Sequence, residues 1–380
     1  MNRYRVVIIP GDGIGPEITE AAVSVLRAVE KANGGFAVDL DWRSAGAGEY
    51  SRTGQSISAE TLEACRAAHG ILKGPVGDPS VRAPDGTEAG VLGGVLRIGL
   101  DLYANIRPVK LYPGVPSALA AHEPGAIDYV IVRENTEGLY ASRGRGFVTP
   151  DTAVDFMIMS RRGVERVVRK AFELARRRRG APKDWISRVT CVDKANVLRG
   201  FAYFREIFLE VAGQYTDVQV ECRYADAAAA RLVQDPGHFD VLVMENFLGD
   251  ILSDLGGGTV GGLGMCPSGN IGDGRAYFEP IHGSAPDIAG QNRANPISMI
   301  LSAAMLLEWL GEAEASSSHP QQEEVRRSQT RFSHHSQVPT TFEKPRSQVS
   351  FPGPRSSQPR VARPSGSRPP REPPTTTRRG

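Results

Sequence analysis

Residues 245–258 read ENFLGDILSDLGGG and set two carboxylates, Asp250 and Asp254, four positions apart in a largely apolar run. On a helix the i and i+4 positions share one face, so Ile251, Leu252 and Leu255 point elsewhere. Two adjacent carboxylates repel each other, and burial makes the repulsion costly. A hard divalent cation such as Mg²⁺ or Mn²⁺ relieves it with an all-oxygen donor set. A solvent-facing acidic patch relieves it with no ligand, and for two bare aspartates that is the simpler account. The all-apolar strand before the pair and the glycine run after it weigh toward the cation.

Basic residues supply a second set of candidates. VLRIGLDLYANIRPVK places Arg97 and Arg107 ten residues apart, and in VIVRENTEGLY Arg133 leaves the end of an apolar strand. Ligands of open α/β sheets collect at the carboxyl ends of strands. A guanidinium there can capture a carboxylate or phosphate through two parallel hydrogen bonds, whereas a lone arginine is commonly a surface ion-pair partner. Lys194 in CVDKANVLR follows a strand directly. Desolvated beside a metal or other cations it could act as a base, and otherwise it is an ordinary surface lysine. Glycines 11, 13 and 15 of IIPGDGIGPE lie between a strand and a helix, and Asp39 and Asp41 lie about where a ribose-binding acid would be. The spacing is GxGxG rather than the dinucleotide fingerprint GxGxxG, and Pro16 suits a structural turn that opens a helix.

Such groups need a scaffold, and alternating patterns supply one. RVVIIP, GILKGPVG, AIDYVIVREN, RVTCVDKAN and FDVLVMEN read as strands; PEITEAAVSVLRAVEKANGG, SRRGVERVVRKAFELARRRRG and GFAYFREIFLEVAGQY read as helices. That alternation predicts an α/β fold with parallel pairing. NPISMILSAAMLLEWLGE reads as a strong final helix, with Asn295 as its cap and Pro296 at its first position. With 380 residues, 40% of them apolar, the chain can bury a sizeable core and is expected to form more than one domain.

Composition also excludes classes of function. Cys65, Cys191, Cys222 and Cys266 are too scattered for a disulfide framework or a zinc site. The start lacks the pattern of a secretory leader, and no apolar run reaches the roughly 18 residues of a membrane span. A cytoplasmic location is therefore expected. The last 68 residues carry twelve Lys and Arg against five Glu, a surplus of +7, so the whole-chain net charge of +2 leaves residues 1–312 at −5. A mildly acidic globular part predicts no nucleic-acid partner. Residues 313–380 hold eleven prolines and little apolar periodicity, which predicts a disordered tail.

Taken in order, PGDGIGPE, LR with ANIRP, VRENTEGLY, DKANVL, ENFLGDILSD, GGLGM and HGSAPDIAG with ANP resemble the β-decarboxylating dehydrogenases. These are isopropylmalate dehydrogenase and relatives acting on isocitrate, homoisocitrate, tartrate and D-malate. The resemblance covers about residues 4 to 312 and implies an isopropylmalate-dehydrogenase-like two-domain fold with a mixed sheet flanked by helices. One domain would comprise 1–108 and 262–312, the other, with the dimer interface and metal site, 109–261. In this family the glycine loop is not a Rossmann site. The resemblance implies that Arg97, Arg107 and Arg133 hold substrate carboxylates and that Asp226, Asp250 and Asp254 bind Mg²⁺ or Mn²⁺. Lys194 would assist removal of the C2 hydroxyl proton while hydride passes to the nicotinamide, and Tyr140 would protonate the enolate left by CO₂ loss. Lys194 and Asp226 would come from the partner subunit of a homodimer.

The same resemblance assigns cofactor contacts to His282, Gly283, Asp287, Ile288 and Asn295. A carboxylate at Asp287 accepts hydrogen bonds from a ribose 2′-hydroxyl but repels a 2′-phosphate, so NAD is expected. EAGVLGGVLR, before Arg97, lacks the Ser-x-Asn of isocitrate enzymes and the extra arginine of homoisocitrate enzymes. It resembles the isopropylmalate pocket with two residues inserted, which predicts 3-isopropylmalate, then D-malate or tartrate. Family chains continue past AAMLLEWLG with a helix and a closing strand, where this sequence has the proline-arginine tail. Either the first domain is incomplete, with marginal stability as the expectation, or the tail is an out-of-frame end, and a catalytically impaired dimer serving as an interaction module is the non-enzyme alternative.

Overall fold

The computed structural model describes residues 1–317 apart from Asp85 and Ala121. Among the described residues twelve strands form: β1 Asn2–Ile9, β2 Phe36–Trp42, β3 Gly70–Lys73, β4 Ala104–Lys110, β5 Asp128–Glu134, β6 Phe147–Val148, β7 Ala153–Val154, β8 Arg188–Asp193, β9 Gln219–Tyr224, β10 Val241–Met244, β11 Pro267–Ile271 and β12 Ala276–Pro280. The helices are α1 Gly15–Asn33, α2 Ala47–Thr53, α3 Ala59–Ala67, α4 Gly93–Gly99, α5 Arg161–Arg177, α6 Arg199–Ala212, α7 Ala225–Gln234, α8 Asn246–Thr259, α9 Ile297–Trp309 and α10 Ala313–Ser317. Every strand and helix expected from patterning is present. Strands buried on both faces, such as VLVM in β10, are apolar runs because helices cover the sheet on each side.

Ten strands make one mixed sheet in the order β2-β1-β3-β12-β11-β4-β5-β10-β8-β9, and β6 pairs with β7 alone. The outer strands pair in parallel, as expected for crossover units, whereas β4 and β11 run antiparallel to their neighbours at the centre. Strands from the segments 1–108 and 262–312 occupy one half of the sheet, and β5, β10, β8 and β9 occupy the other. One apolar cluster gathers α1, α9 and the strands they cover; another gathers α5 and α6 on the second half.

Two boundaries differ from expectation. Helix α9 is bounded at Ile297, one residue later than expected, although Pro296 before it already has αR backbone angles, as a first helical position should. Asn295 still serves the helix start, since its Oδ1 accepts from the Ile297 amide at 3.1 Å. The tail does not begin at 313: Ala313–Ser317 is helical, and Ala315 is buried in the cluster formed by α1 and α9. Just before it, Glu312 Oε1 accepts from Tyr4 OH at 2.8 Å and ties the helix end back to β1. The remaining tail expected through 380 lies outside the described residues.

The glycine loop is a packing device. A Cβ on Gly11 would lie 2.0 Å from Pro75 O, and one on Gly13 would lie 2.0 Å from Ser284 O. Between them Asp12 accepts from the amides of Ala47, Gly48 and Gly77 at 2.7–2.9 Å, so a carboxylate from a distant loop caps α2. Asp39 and Asp41 pair with Arg3, Arg5 and Arg43.

Candidate active site

Register brings two of the arginines together. In the antiparallel pair β4–β5, Asn105 lies opposite Arg133 and Arg107 opposite Ile131, so strand alternation turns Asn105, Arg107 and Arg133 to one face. Helix α8 packs across both strands and presents its carboxylates there. Arg107 Nη1 donates to Ser253 Oγ at 2.6 Å and approaches Asp250 Oδ1 and Asp254 Oδ1, each at 3.3 Å. Arg133 Nε donates to Asn246 Oδ1 at 2.9 Å, and its Nη1 pairs with Asp250 Oδ1. The Arg133 side chain is only 2% exposed. It fits because residue 249 is glycine: a Cβ there would lie 2.6 Å from both Cβ and Cγ of Arg133. Within one chain, then, the paired aspartates face guanidinium groups.

The two carboxylates are held differently. Burial pushes the Asp250 carboxyl up, but Arg133, Arg107 and the hydrogen bond from Tyr140 outweigh it and hold the group below the ordinary range. Asp254 goes the other way, raised by burial and by the Asp250 charge, with Arg107 offsetting only part. Arg133 is pushed down to about 9 by burial and by the neighbouring charges of Arg107 and Arg97. Crowded cations with incomplete neutralisation favour an anionic ligand.

Tyr140 joins this cluster from a short turn, 139–142, and its hydroxyl donates to Asp250 Oδ2 at 2.8 Å. The clamp is Glu245, which accepts from the Leu139 amide at 2.8 Å and caps α8 at the Leu248 amide at 3.1 Å. Burial, then the Asp250 bond, raises the phenol and keeps it protonated near neutrality. Glutamate is not a favoured cap residue. Little in the sequence distinguished Glu245 from the rest of its motif.

Arg97 approaches from α4. Its Nε donates to Tyr277 OH at 3.0 Å and its Nη2 to Glu279 Oε1 at 3.3 Å. Glu279 also pairs with buried Lys73 at 2.6 Å and accepts from Asn270 Nδ2 at 3.1 Å. Burial opposes its ionisation, yet Lys73 and Arg97 win and hold the carboxyl at about 2. Sequence reasoning missed Lys73, Asn105, Tyr277 and Glu279. The available signal was alternation of charged and apolar residues in AYFEP, where Tyr277 and Glu279 share one face of β12.

Lys194 and Asp226 stand apart from this cluster. Lys194 Nζ pairs with Asp226 at 2.9 Å and lies 5.9 Å from the Tyr224 ring centroid, at the ends of β8 and β9. That bond draws the Asp226 carboxyl down. Among the described residues no group of three or more His, Cys, Asp or Glu side chains is placed to hold a metal, so Asp226 does not join Asp250 and Asp254 within one chain. The proposed cofactor residues follow β12. His282 Nδ1 lies 2.9 Å from Gly283 O; Asp287 and Ile288 sit in the turn Pro286–Ile288 after left-handed Ala285. Ser284 anchors that loop by accepting at its carbonyl from Ile14 and donating from Oγ to Gly77 O.

Comparison with known proteins bears on this arrangement. Residues 5–326 match the family model for isocitrate/isopropylmalate dehydrogenase. The chain belongs to that family. The 3-isopropylmalate dehydrogenase of Chlorobium chlorochromatii is 43% identical over 310 residues, covering 80% of this chain and 85% of the relative. The 3-isopropylmalate/3-methylmalate dehydrogenase of Methanocaldococcus jannaschii is 43% identical over 313 residues, covering 82% and 87%. Among solved structures, isocitrate dehydrogenase from Methylococcus capsulatus superposes with a TM-score of 0.73 at 41% identity, covering 83% of this chain and 88% of that one. Membership in this family agrees with the mixed sheet flanked by helices and with a β-decarboxylating dehydrogenase. No helix among the described residues is long and apolar enough to cross a membrane.

Proposed function

We propose that this chain oxidatively decarboxylates a malate-type 2-hydroxy acid, 3-isopropylmalate first, with NAD⁺ as hydride acceptor and Mg²⁺ or Mn²⁺ as metal. The observation that carries the reading is the convergence of buried Arg107 and Arg133 on Asp250, with Arg97 and Tyr140 beside them. Guanidinium groups in that setting suit two carboxylates of a small dianion. The names of the relatives at 43% identity favour 3-isopropylmalate, and the absence of a Ser-x-Asn before Arg97 agrees with an apolar γ-group.

Asp250 and Asp254 fit a hard cation in donor chemistry, and Asp254 is the less compensated of the two. A metal held there would act as a Lewis acid toward substrate oxygens. Asp226 completes the donor set only from a second chain, so a homodimer with shared sites belongs to the proposal. In it Arg97, Arg107 and Arg133 orient the acid, and Lys194 of the partner subunit accepts the hydroxyl proton as hydride leaves C2. Tyr140 then returns a proton to the carbon that has lost CO₂. The exposed Asp287 carboxylate supports NAD over NADP, with His282, Gly283, Ile288 and Asn295 lining the same loop region. A division into 1–108 with 262–312 and 109–261, a cytoplasmic location and no nucleic-acid partner complete the reading.

The test is NADH formation by the purified chain with Mg²⁺, offered 3-isopropylmalate, D-malate, tartrate and isocitrate, with Lys194→Ala as control. Turnover of 3-isopropylmalate that vanishes in the control is the expected result. A higher kcat/KM with NADP⁺ refutes the cofactor assignment, and silence on all four acids from a folded dimer favours the impaired-dimer alternative.

A further inference from the structure

A guanidinium has two edges that can each grip a carboxylate, and in Arg97 one of them is already committed. Nε donates to the Tyr277 hydroxyl at 3.0 Å and Nη2 to Glu279 at 3.3 Å. Nε and Nη2 form the side edge, so the end edge, Nη1 with the second Nη2 proton, is the one available for an incoming carboxylate. The two anchors are not equivalent. Glu279 bears a charge and makes its shorter contacts elsewhere, to Lys73 at 2.6 Å and Asn270 at 3.1 Å. Tyr277 is fully buried on β12, and that burial raises its phenol well above the ordinary value. It is therefore a neutral acceptor, able to aim Arg97 without cancelling its charge.

We propose that Tyr277 is a positioning residue whose hydroxyl fixes the angle of the Arg97 guanidinium and thereby sets affinity for the hydroxy acid. The inference rests on the reading of Arg97 as a substrate contact. It goes beyond that reading by giving a role to a residue that never touches substrate. Removing the hydroxyl leaves the aromatic ring to fill the same buried space, while the Nε proton loses its acceptor and the guanidinium can turn on the weaker Glu279 contact.

The experiment is steady-state kinetics on the full-length dimer of wild type, Tyr277→Phe, Arg97→Lys and the double variant. Each of the four acids is used in turn, together with melting in the presence of each acid. Loss of a hydrogen bond to a charged group should raise KM for the preferred acid roughly tenfold in Tyr277→Phe. The kcat and the KM for NAD⁺ should stay within about twofold, because the ring still fills its site. In the Arg97→Lys background, which has no Nε, the same change should alter KM by less than about twofold. An equal rise in both backgrounds means that the hydroxyl acts through its contact with Glu279 rather than through Arg97 and overturns the inference, as does an unchanged KM in Tyr277→Phe beside an active wild type. If wild type turns over none of the acids but is protected by one, weaker protection of Tyr277→Phe supports the inference, and equal protection overturns it. Neither turnover nor protection in wild type refutes the substrate site itself, and the inference with it.

Discussion

The arginine–aspartate cluster on β4, β5 and α8 and the Lys194–Asp226 pair at the ends of β8 and β9 use the same chemistry in opposite surroundings. Arg133 is 2% exposed and has Asp250 and Asn246 as partners within one chain. Asp226 is 70% exposed, and Lys194 is the cation it meets. The first is closed by folding: strand register, a glycine at 249 and the Glu245 clamp each restrict where its groups can go. The second is open on the surface and, on the proposed reading, is completed only by assembly. A site can therefore be divided into a part that one chain pre-organises and a part that waits for a partner, and the two should respond to mutation differently.

Lys194→Ala should break the comparison most visibly. A general base contributes about 10²–10⁴-fold, so turnover should fall by that factor. The melting temperature should barely move, because an exposed ion pair contributes about 0–1 kcal/mol. A large drop in stability would show that the pair is structural.

Arg133→Met should do the reverse. Removing one partner of a buried pair costs about 3–5 kcal/mol, which urea denaturation would register along with lost substrate affinity. Gly249→Ala acts on the same contact more mildly, since overpacking costs typically 1–3 kcal/mol. A stability equal to wild type would mean that α8 can move away from β5.

Mixing chains sharpens the contrast. If the sites are shared, co-expressed Lys194→Ala and Asp250→Asn chains should form heterodimers with one intact site. About a quarter of wild-type activity should return, because half of a random mixture is heterodimeric and each heterodimer has one of two sites whole. No recovery from verified heterodimers would place each site within one chain.

The smallest effect is in the pH dependence. Glu279 is depressed from 4.5 to about 2, so its stabilisation is present above pH 4.5 and lost as pH falls from 4.5 toward 2. In melting curves taken across that window, Glu279→Gln should flatten the slope. An unchanged slope would assign acid sensitivity to other carboxylates.

Much of this was legible beforehand because it is local or carried by ordered motifs. Apolar runs and glycine stops located β1, β5, β8, β10, α1, α5 and α9, and the motif order implied the family that residues 5–326 match. The aspartate pair was visible as a spacing, but its cations were not, since Arg107 and Arg133 reach it from positions 117 to 147 residues away. Lys73, Tyr277 and Glu279 were missed for the same reason: each looks unremarkable until β12 is inserted between β3 and β11.

By itself the sequence determined which segments become strands and helices, that Asp250 and Asp254 share a face, and that glycines stand where chains must approach closely. Periodicity and backbone sterics act over a few residues, so a linear reading reaches them. Tertiary structure alone decided that β4 runs antiparallel to β5, that Arg133 rather than solvent meets Asp250, and that Tyr277 meets Arg97. Those outcomes depend on sheet order and on the burial of charge, where each group's energy is set by partners distant in the chain.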